Sequence, residues 1–280
     1  TRHRERRFMS PENLGALVRA AEACYDGAKA YRAPFVSGKD SLNNQLRYTD
    51  PATGEKVVIE VPPTLLITGM GIVPNLSRCV TMDAKAPGHA LLLVGRTLAA
   101  MGGSHYAHLF GGTNTDFARV DLTIGPATAR AVAQCIRDGL VQSAHDCSDG
   151  GLLVAVAEML IATTGREPHA RGVAGGSGGG VLDALLDARP ALAPLGAELT
   201  LEPGLLDDHE CAFAETPSRY VLEVRPEDLP RIRTVLNDHG AIPAAVIGRL
   251  DRSGRLIWKH ADLDARVDEL AQAWLTPLAW

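Results

Sequence analysis

The stretch "SAHDCSDGGLLVAVAEML", residues 143–160, changes character at its middle. Its first half is polar, with His145, Asp146, Ser148 and Asp149 ahead of two glycines. Its second half is apolar at helical spacing. Leu152, Leu153, Val156, Ala157, Leu160 and Ile161 recur at intervals that predict a helix over 151–163 with one face toward a core. Two carboxylates three residues apart, in a loop that enters a helix N-terminus, can organise a divalent cation and a phosphate. The same residues have a plainer use: Asp149 or Ser148 can cap the helix while Asp146 holds the turn. The two uses are compatible. His145 alone reads as a satisfied structural histidine.

Upstream, residues 10–31 read as a helix, with Ser10 as cap, Pro11 in the first turn, Glu12 at the positive end of the dipole, and Leu14, Leu17, Val18, Ala21 and Tyr25 on one face. "APFVSG" (33–38) reads as a short buried strand ending at Gly38. "NNQLRYTDPATGEKVVIEV" reads as a hairpin with Asp50–Gly54 as its turn. "PTLLITGMGIV" (63–73) is long and apolar, which predicts a strand that is buried or paired at an interface. A second unit is expected from residue 80, giving domains 1–79 and 80–280. "HALLLVG" (89–95) is a buried strand. "GPATARAVAQCIRDGLV" is a helix with Val132, Cys135, Ile136 and Leu140 inward.

Downstream, "RGVAGGSGGG" (171–180) marks a Gly-rich surface insertion extending to about residue 195; it lacks the Lys-Ser/Thr ending of a phosphate-binding P-loop. Strands follow at "GAELTLE", "SRYVLEV", "PAAVIGRL" and "GRLIWK", and helices at 226–240 and 263–275. This mixture predicts an α/β fold, an α+β sandwich.

The bulk composition excludes several classes. With 46% apolar and 22% charged residues in 280, the chain can bury a full core. A net charge of −5 and no basic stripe with interleaved aromatics argue against nucleic acid. The basic cluster "TRHRERR" reads as a solvated leader. No apolar run approaches the ~20 residues of a membrane span. The five cysteines form no C-x-x-C pair, so neither a zinc site nor a disulfide framework is expected, and a reduced, cytoplasmic setting is.

Three further stretches can carry chemistry. In "SGKDS" (37–41), Gly38 allows close backbone approach, Lys39 suits phosphate, Asp40 suits Mg²⁺ and Ser41 can donate to a substrate oxygen; a polar turn explains them equally well. In "MGGSHY" (101–106), Gly102, Gly103 and Ser104 can form an anion-binding nest of backbone N–H groups, or a tight turn that needs positive φ. In "FAETPSRYVLEV" (213–224), Glu215 and Arg219 read as a surface pair on a strand, with ligand contact as the other use.

Read in order, these stretches resemble the C-terminal half of the phosphoribosylformylglycinamidine synthase family, within the superfamily of aminoimidazole ribonucleotide synthetase. "PFVSGKDSLNNQ", "VTMDAKAPGHALLLVG", "MGGSHY", "SAHDCSDGGLLVAVAEML", "FAETPSRYVLEV" and "PAAVIGRL" follow one another as in that family, and the resemblance covers about residues 10–275. It implies part of a barrel-forming unit followed by a C-terminal α/β domain. It implies an ATP-dependent amidoligase of purine biosynthesis that converts formylglycinamide ribonucleotide and glutamine-derived ammonia to the amidine. ATP/ADP and Mg²⁺ are the implied cofactors. Gly38, Lys39, Asp40, Gly102, Gly103 and Ser104 are implied at the nucleotide, Ser41 at the substrate, and Asp146 and Asp149 at the metal. The implied partners are a glutaminase and either the N-terminal half of the synthetase or a second copy of this chain.

The resemblance places a "T-D-N/C-L-N-F" stretch before the first helix, where this chain has "TRHRERRFM", so one ATP-binding acid has no counterpart, and Thr216 and Pro217 replace a polar pair. The chain is therefore expected to be incomplete alone. The alternative implied by the same resemblance is a non-catalytic half that holds nucleotide or supports a catalytic partner.

Overall fold

The computed structural model describes residues 11–39, 44–111, 116–164, 194–202 and 204–276. The chain divides into two units, Thr1–Pro74 and Asn75–Trp280. In the first, α1 spans Pro11–Tyr31. None of its residues is buried, and Leu14, Leu17, Val18 and Tyr25 lie open on one face. The hairpin forms as expected. β1 (Gln45–Thr49) pairs antiparallel with β2 (Lys56–Glu60), from Gln45↔Glu60 to Thr49↔Lys56. Its turn is closed by Gly54 N–H on the Asp50 carbonyl at 2.8 Å, with Gly54 at φ 71°.

Two expected strands are absent. Residues 33–38 and 63–73 are irregular and exposed, with Val36, Met70 and Ile72 almost fully so. Apolar β-branched sequence does not make a strand by itself; a strand needs a backbone partner. Among the described residues β1 and β2 pair only with each other.

The second unit contains β3 (Ala90–Val94), α2 (His105–Phe110), α3 (Ile124–Arg137), β4 (Val141–Asp146), α4 (Gly151–Ile161) and β5 (Gly196–Leu199). It continues with α5 (Asp208–Phe213), β6 (Tyr220–Val224), α6 (Leu229–Asp238), β7 (Ala244–Asp251), β8 (Arg255–Trp258), β9 (Leu263–Arg266) and α7 (Val267–Leu275). Seven strands form one sheet in the order β4-β6-β3-β7-β5-β8-β9. All neighbours are antiparallel except β5 and β8.

β3 lies at the centre and is buried along its whole length. Leu91 and Leu93 point into a core shared with α4, α5 and α7. Ala90, Leu92 and Val94 point into a second core against α3 and α6. Covering on both faces is why "ALLLV" is continuously apolar and does not alternate.

Three local readings need correction. The helix before β4 ends at Arg137. Gly139, at φ 72°, donates to Ile136 O, and Leu140 N–H reaches Cys135 O, both at 3.0 Å. This is a Schellman closure, and Leu140 is buried just past the helix. Residues 141–146 are then a strand rather than loop. Its inward position, Ser143, is polar and is satisfied by Glu223 Oε2 at 2.7 Å, which hid the alternation. Residues 263–266 pair with β8 before α7 begins.

The Gly-rich segment 171–180 lies outside the described residues. Among the described residues no helix is long and apolar enough to cross a membrane. The five cysteines are unbonded, and burial pushes the Cys135 and Cys147 thiols up to about 11.

Candidate functional site

The sheet register decides where the chemistry-bearing stretches meet. Val94, the last residue of β3, pairs with Tyr220 at the start of β6. Asp146, the last residue of β4, pairs with the same Tyr220. The exits of β3 and β4 and the entry to β6 therefore share one end of the sheet. β3 leads to the turn at Gly102–Ser104, β4 leads to the turn at Cys147–Gly151, and the residues before β6 include Glu215.

The first turn is closed on itself. Gly102 N–H donates to Asp116 O at 2.8 Å and Ser104 N–H to Met101 O at 3.1 Å. Ser104 caps α2: its hydroxyl accepts from Ala107 N–H at 3.1 Å and donates to Met101 O at 2.6 Å. Of the two readings of "MGGS", the tight turn is the one seen, with Gly103 at φ 76°.

In the second turn, neither Asp149 nor Ser148 caps α4. The cap position is Gly150, at φ 78°, without a side-chain bond. The Ser148 hydroxyl instead donates to Asp146 Oδ2. That bond, ahead of the opposing effect of burial, holds the Asp146 carboxyl below the usual range. His145 is held on both sides, by Glu158 Oε2 at 2.8 Å on Nε2 and Asp146 Oδ1 at 3.2 Å on Nδ1. The Glu158 bond is the main reason its imidazole is pushed up from its ordinary value. Gly151, at φ 76°, lets α4 start against α5: a Cβ there would sit 2.8 Å from Ala214 O.

Glu215 joins the two turns. Its Oε1 accepts Gly150 N–H at 2.8 Å, His105 N–H at 2.8 Å and His105 Nδ1–H at 3.0 Å. Partial burial pushes this carboxyl up, but the three donors outweigh it and hold the group below the usual carboxylate range. The expected Glu215–Arg219 surface pair is thus overturned. Glu215 bonds elsewhere, and Arg219 is only 1% exposed. No sequence spacing marked His105 or Glu158 as participants.

His105, Asp149 and Glu215 each bring one ligand atom within 4.8 Å of the others. A hard divalent cation that takes one or two carboxylates and completes its shell with water and phosphate oxygens fits such a set. Of the other expected site residues, Gly38 and Lys39 belong to the first unit and are exposed, while Asp40 and Ser41 lie outside the described residues.

Residues 86–259 match the family described as AIR synthase related protein, C-terminal domain. The chain belongs to this family. Among its relatives, the phosphoribosylformylglycinamidine synthase subunit PurL of Synechococcus sp. (strain CC9902) is 30% identical over 97% of this chain and 33% of its own length. That of Brucella ovis is 31% identical over 94% of this chain and 30% of its own. The chain spans about a third of the length of these relatives.

In fold, it resembles Thermotoga maritima PurL complexed with FGAR, with a TM-score of 0.55 at 17% identity, covering 88% of this chain and 36% of that one. PurLQS from the same organism gives 0.54 at 16%, covering 88% and 34%. These neighbours support an AIR synthase-like α/β fold.

Proposed function

We propose that this chain forms the C-terminal part of an ATP-dependent amidoligase of the phosphoribosylformylglycinamidine synthase type, acting in purine biosynthesis. The observation that carries the reading is Glu215. One carboxylate oxygen gathers "MGGSHY", "SAHDCSDGG" and "FAETPSR", stretches up to 110 residues apart, into one place. These stretches carry the resemblance, and PurL relatives match across nearly the whole chain.

In the proposed reaction the amide oxygen of formylglycinamide ribonucleotide attacks the γ-phosphorus of ATP and ADP leaves. Ammonia then adds to the activated carbon, phosphate leaves and the amidine forms. Asp149, with Glu215 beside it, would hold Mg²⁺, which neutralises phosphate charge when bound. The turn at Gly102–Ser104 and the start of α4 shape the wall against the ligand. Gly38, Lys39 and Asp40 would meet nucleotide phosphates, and Ser41 the ribonucleotide. A glutaminase would supply ammonia, and the sequence that the longer relatives carry beyond this match would supply the rest of the site.

A second reading, a half that holds nucleotide or supports a catalytic partner, is favoured by one observation. Both Asp146 oxygens, the Gly102 N–H and the Ser104 hydroxyl are already engaged within the protein. Assays with ATP, Mg²⁺, formylglycinamide ribonucleotide and ammonium separate the readings. The chain alone should give no amidine. Mixed with the N-terminal part of a PurL relative it should give amidine and ADP, lost in Asp149→Asn. Wild-type turnover by the reconstituted Asp149→Asn protein would favour the supporting role. Absence of any ribonucleotide-dependent ADP release in the mixture would overturn the amidoligase reading.

A further inference from the structure

An arginine one residue ahead of a strand reads as solvent-facing, yet Arg219 is buried. Two backbone features admit it. Ser218 before it takes φ 62°, and Gly95 leaves the space: a Cβ at Gly95 would lie 2.7 Å from Ser218 O and 3.0 Å from Arg219 Cγ. The guanidinium turns inward and donates to three groups. Nε–H reaches Thr216 O at 3.1 Å, Nη1–H reaches Thr97 Oγ1 at 2.8 Å, and Nη2–H reaches Ala214 O. The Arg219 carbonyl accepts Cys147 N–H at 3.0 Å.

Burial pushes the Arg219 guanidinium below its ordinary value, and among the described residues no carboxylate is paired to it. An unpaired buried guanidinium is expensive, and an apolar side chain would fill the space at lower cost. What it holds explains its presence. Ala214 and Thr216 are the two peptides that flank Glu215. Thr97 lies on the path from β3 to the glycine turn, where Thr216 Oγ1 also accepts Leu98 N–H at 3.1 Å. Cys147 opens the Asp146–Gly151 turn.

We propose that Arg219 is the positioning residue of the site: its planar fork and its carbonyl fix, from within the protein, the same three stretches that Glu215 joins at the surface. This goes beyond the amidoligase reading, because it concerns how the site keeps its shape whatever it binds.

The test reads the ring of His105. A carboxylate only accepts, so the neutral His105 ring carries its proton on Nδ1 while Glu215 is in place. In the ¹⁵N-histidine-labelled full chain, above the titration range, the wild type should show the Nδ1–H tautomer at His105, assigned with His105→Gln. Glu215→Ala should shift the ring to Nε2–H. Arg219→Lys keeps the charge but loses the fork, and should shift the ring as Glu215→Ala does without loss of the cooperative thermal transition. A folded Arg219→Lys chain that retains the wild-type tautomer overturns the proposal. Should Arg219→Lys fail to fold, Thr97→Val, which removes one anchor and keeps the cation, decides in its place. A partial shift of the tautomer there supports the proposal, and an unchanged spectrum overturns it.

Discussion

Glu215 and Glu223 sit eight residues apart on either side of the β6 entry and do opposite things with the same carboxylate. Glu223 is wholly buried. It accepts Lys85 N–H at 2.8 Å, Ala86 N–H at 3.0 Å, Ser143 Oγ–H at 2.7 Å and His89 Nδ1–H at 2.6 Å. It fastens the chain entering β3 and the inward hydroxyl of β4 to the middle strand between them. Glutamine there would turn an NH₂ toward donors and leave buried N–H groups unmet. Glu223→Gln should therefore cost about 3 kcal/mol of stability, read by urea denaturation. Glu215 is partly exposed, and water can replace it at His105 and Gly150. Glu215→Ala should cost about 1 kcal/mol in the same experiment, much less than Glu223→Gln.

At the scale of the elements, α3 offers a pH-dependent test. Its first free N–H groups, on Thr123 and Ile124, donate to Asp121 Oδ1 at 2.8 and 2.9 Å. The Ile124 bond, then the Thr123 bond, holds the Asp121 carboxyl below its ordinary value of 3.8. The folded value is depressed, so the stabilisation is present above the unfolded value and disappears as pH falls through the folded one. Thermal melts of wild type and Asp121→Asn should differ at neutral pH, with the wild type melting higher, and converge below pH 3.8.

The elements also show what the sequence could reveal. The hairpin, β3, α4 and β6–β8 were legible because each has its own local signal: a turn residue, an apolar run or a helical stripe. β4 was not legible, because its inward residue is Ser143 and the group that satisfies it, Glu223, lies 80 residues away. The strands expected at 33–38 and 63–73 failed for the converse reason: apolar residues were present and, among the described residues, a pairing strand was not. At the site, the acids of "HDCSDGG" were legible as residue types. The use of Glu215 as a stitch was not, since only the register of β3, β4 and β6 brings His105 and Gly150 to it. Arg219 misled for a simpler reason: nothing in a sequence says that its donors will find carbonyls.

For the whole molecule, the first unit leaves much apolar surface uncovered. Leu66 is 88% exposed, Met70 97% and Ile72 95%. Surface of that kind associates. Light scattering should report a mass above the chain's 29.7 kDa that rises with concentration, and Ile72→Asp with Met70→Glu should return it toward that value. A concentration-independent mass of one chain would count against association.

β3 occupies the centre of the sheet, yet both its neighbours come late: β6 follows about 130 residues after it and β7 about 150. At ribosomal speeds of about 5–20 residues per second, "ALLLV" waits on the order of ten seconds for its first partner. During that interval the most apolar strand of the chain is a newborn segment with no sheet to join. The architecture thus makes this protein a client of whatever shields nascent chains, and places its period of greatest danger before β6 has been made.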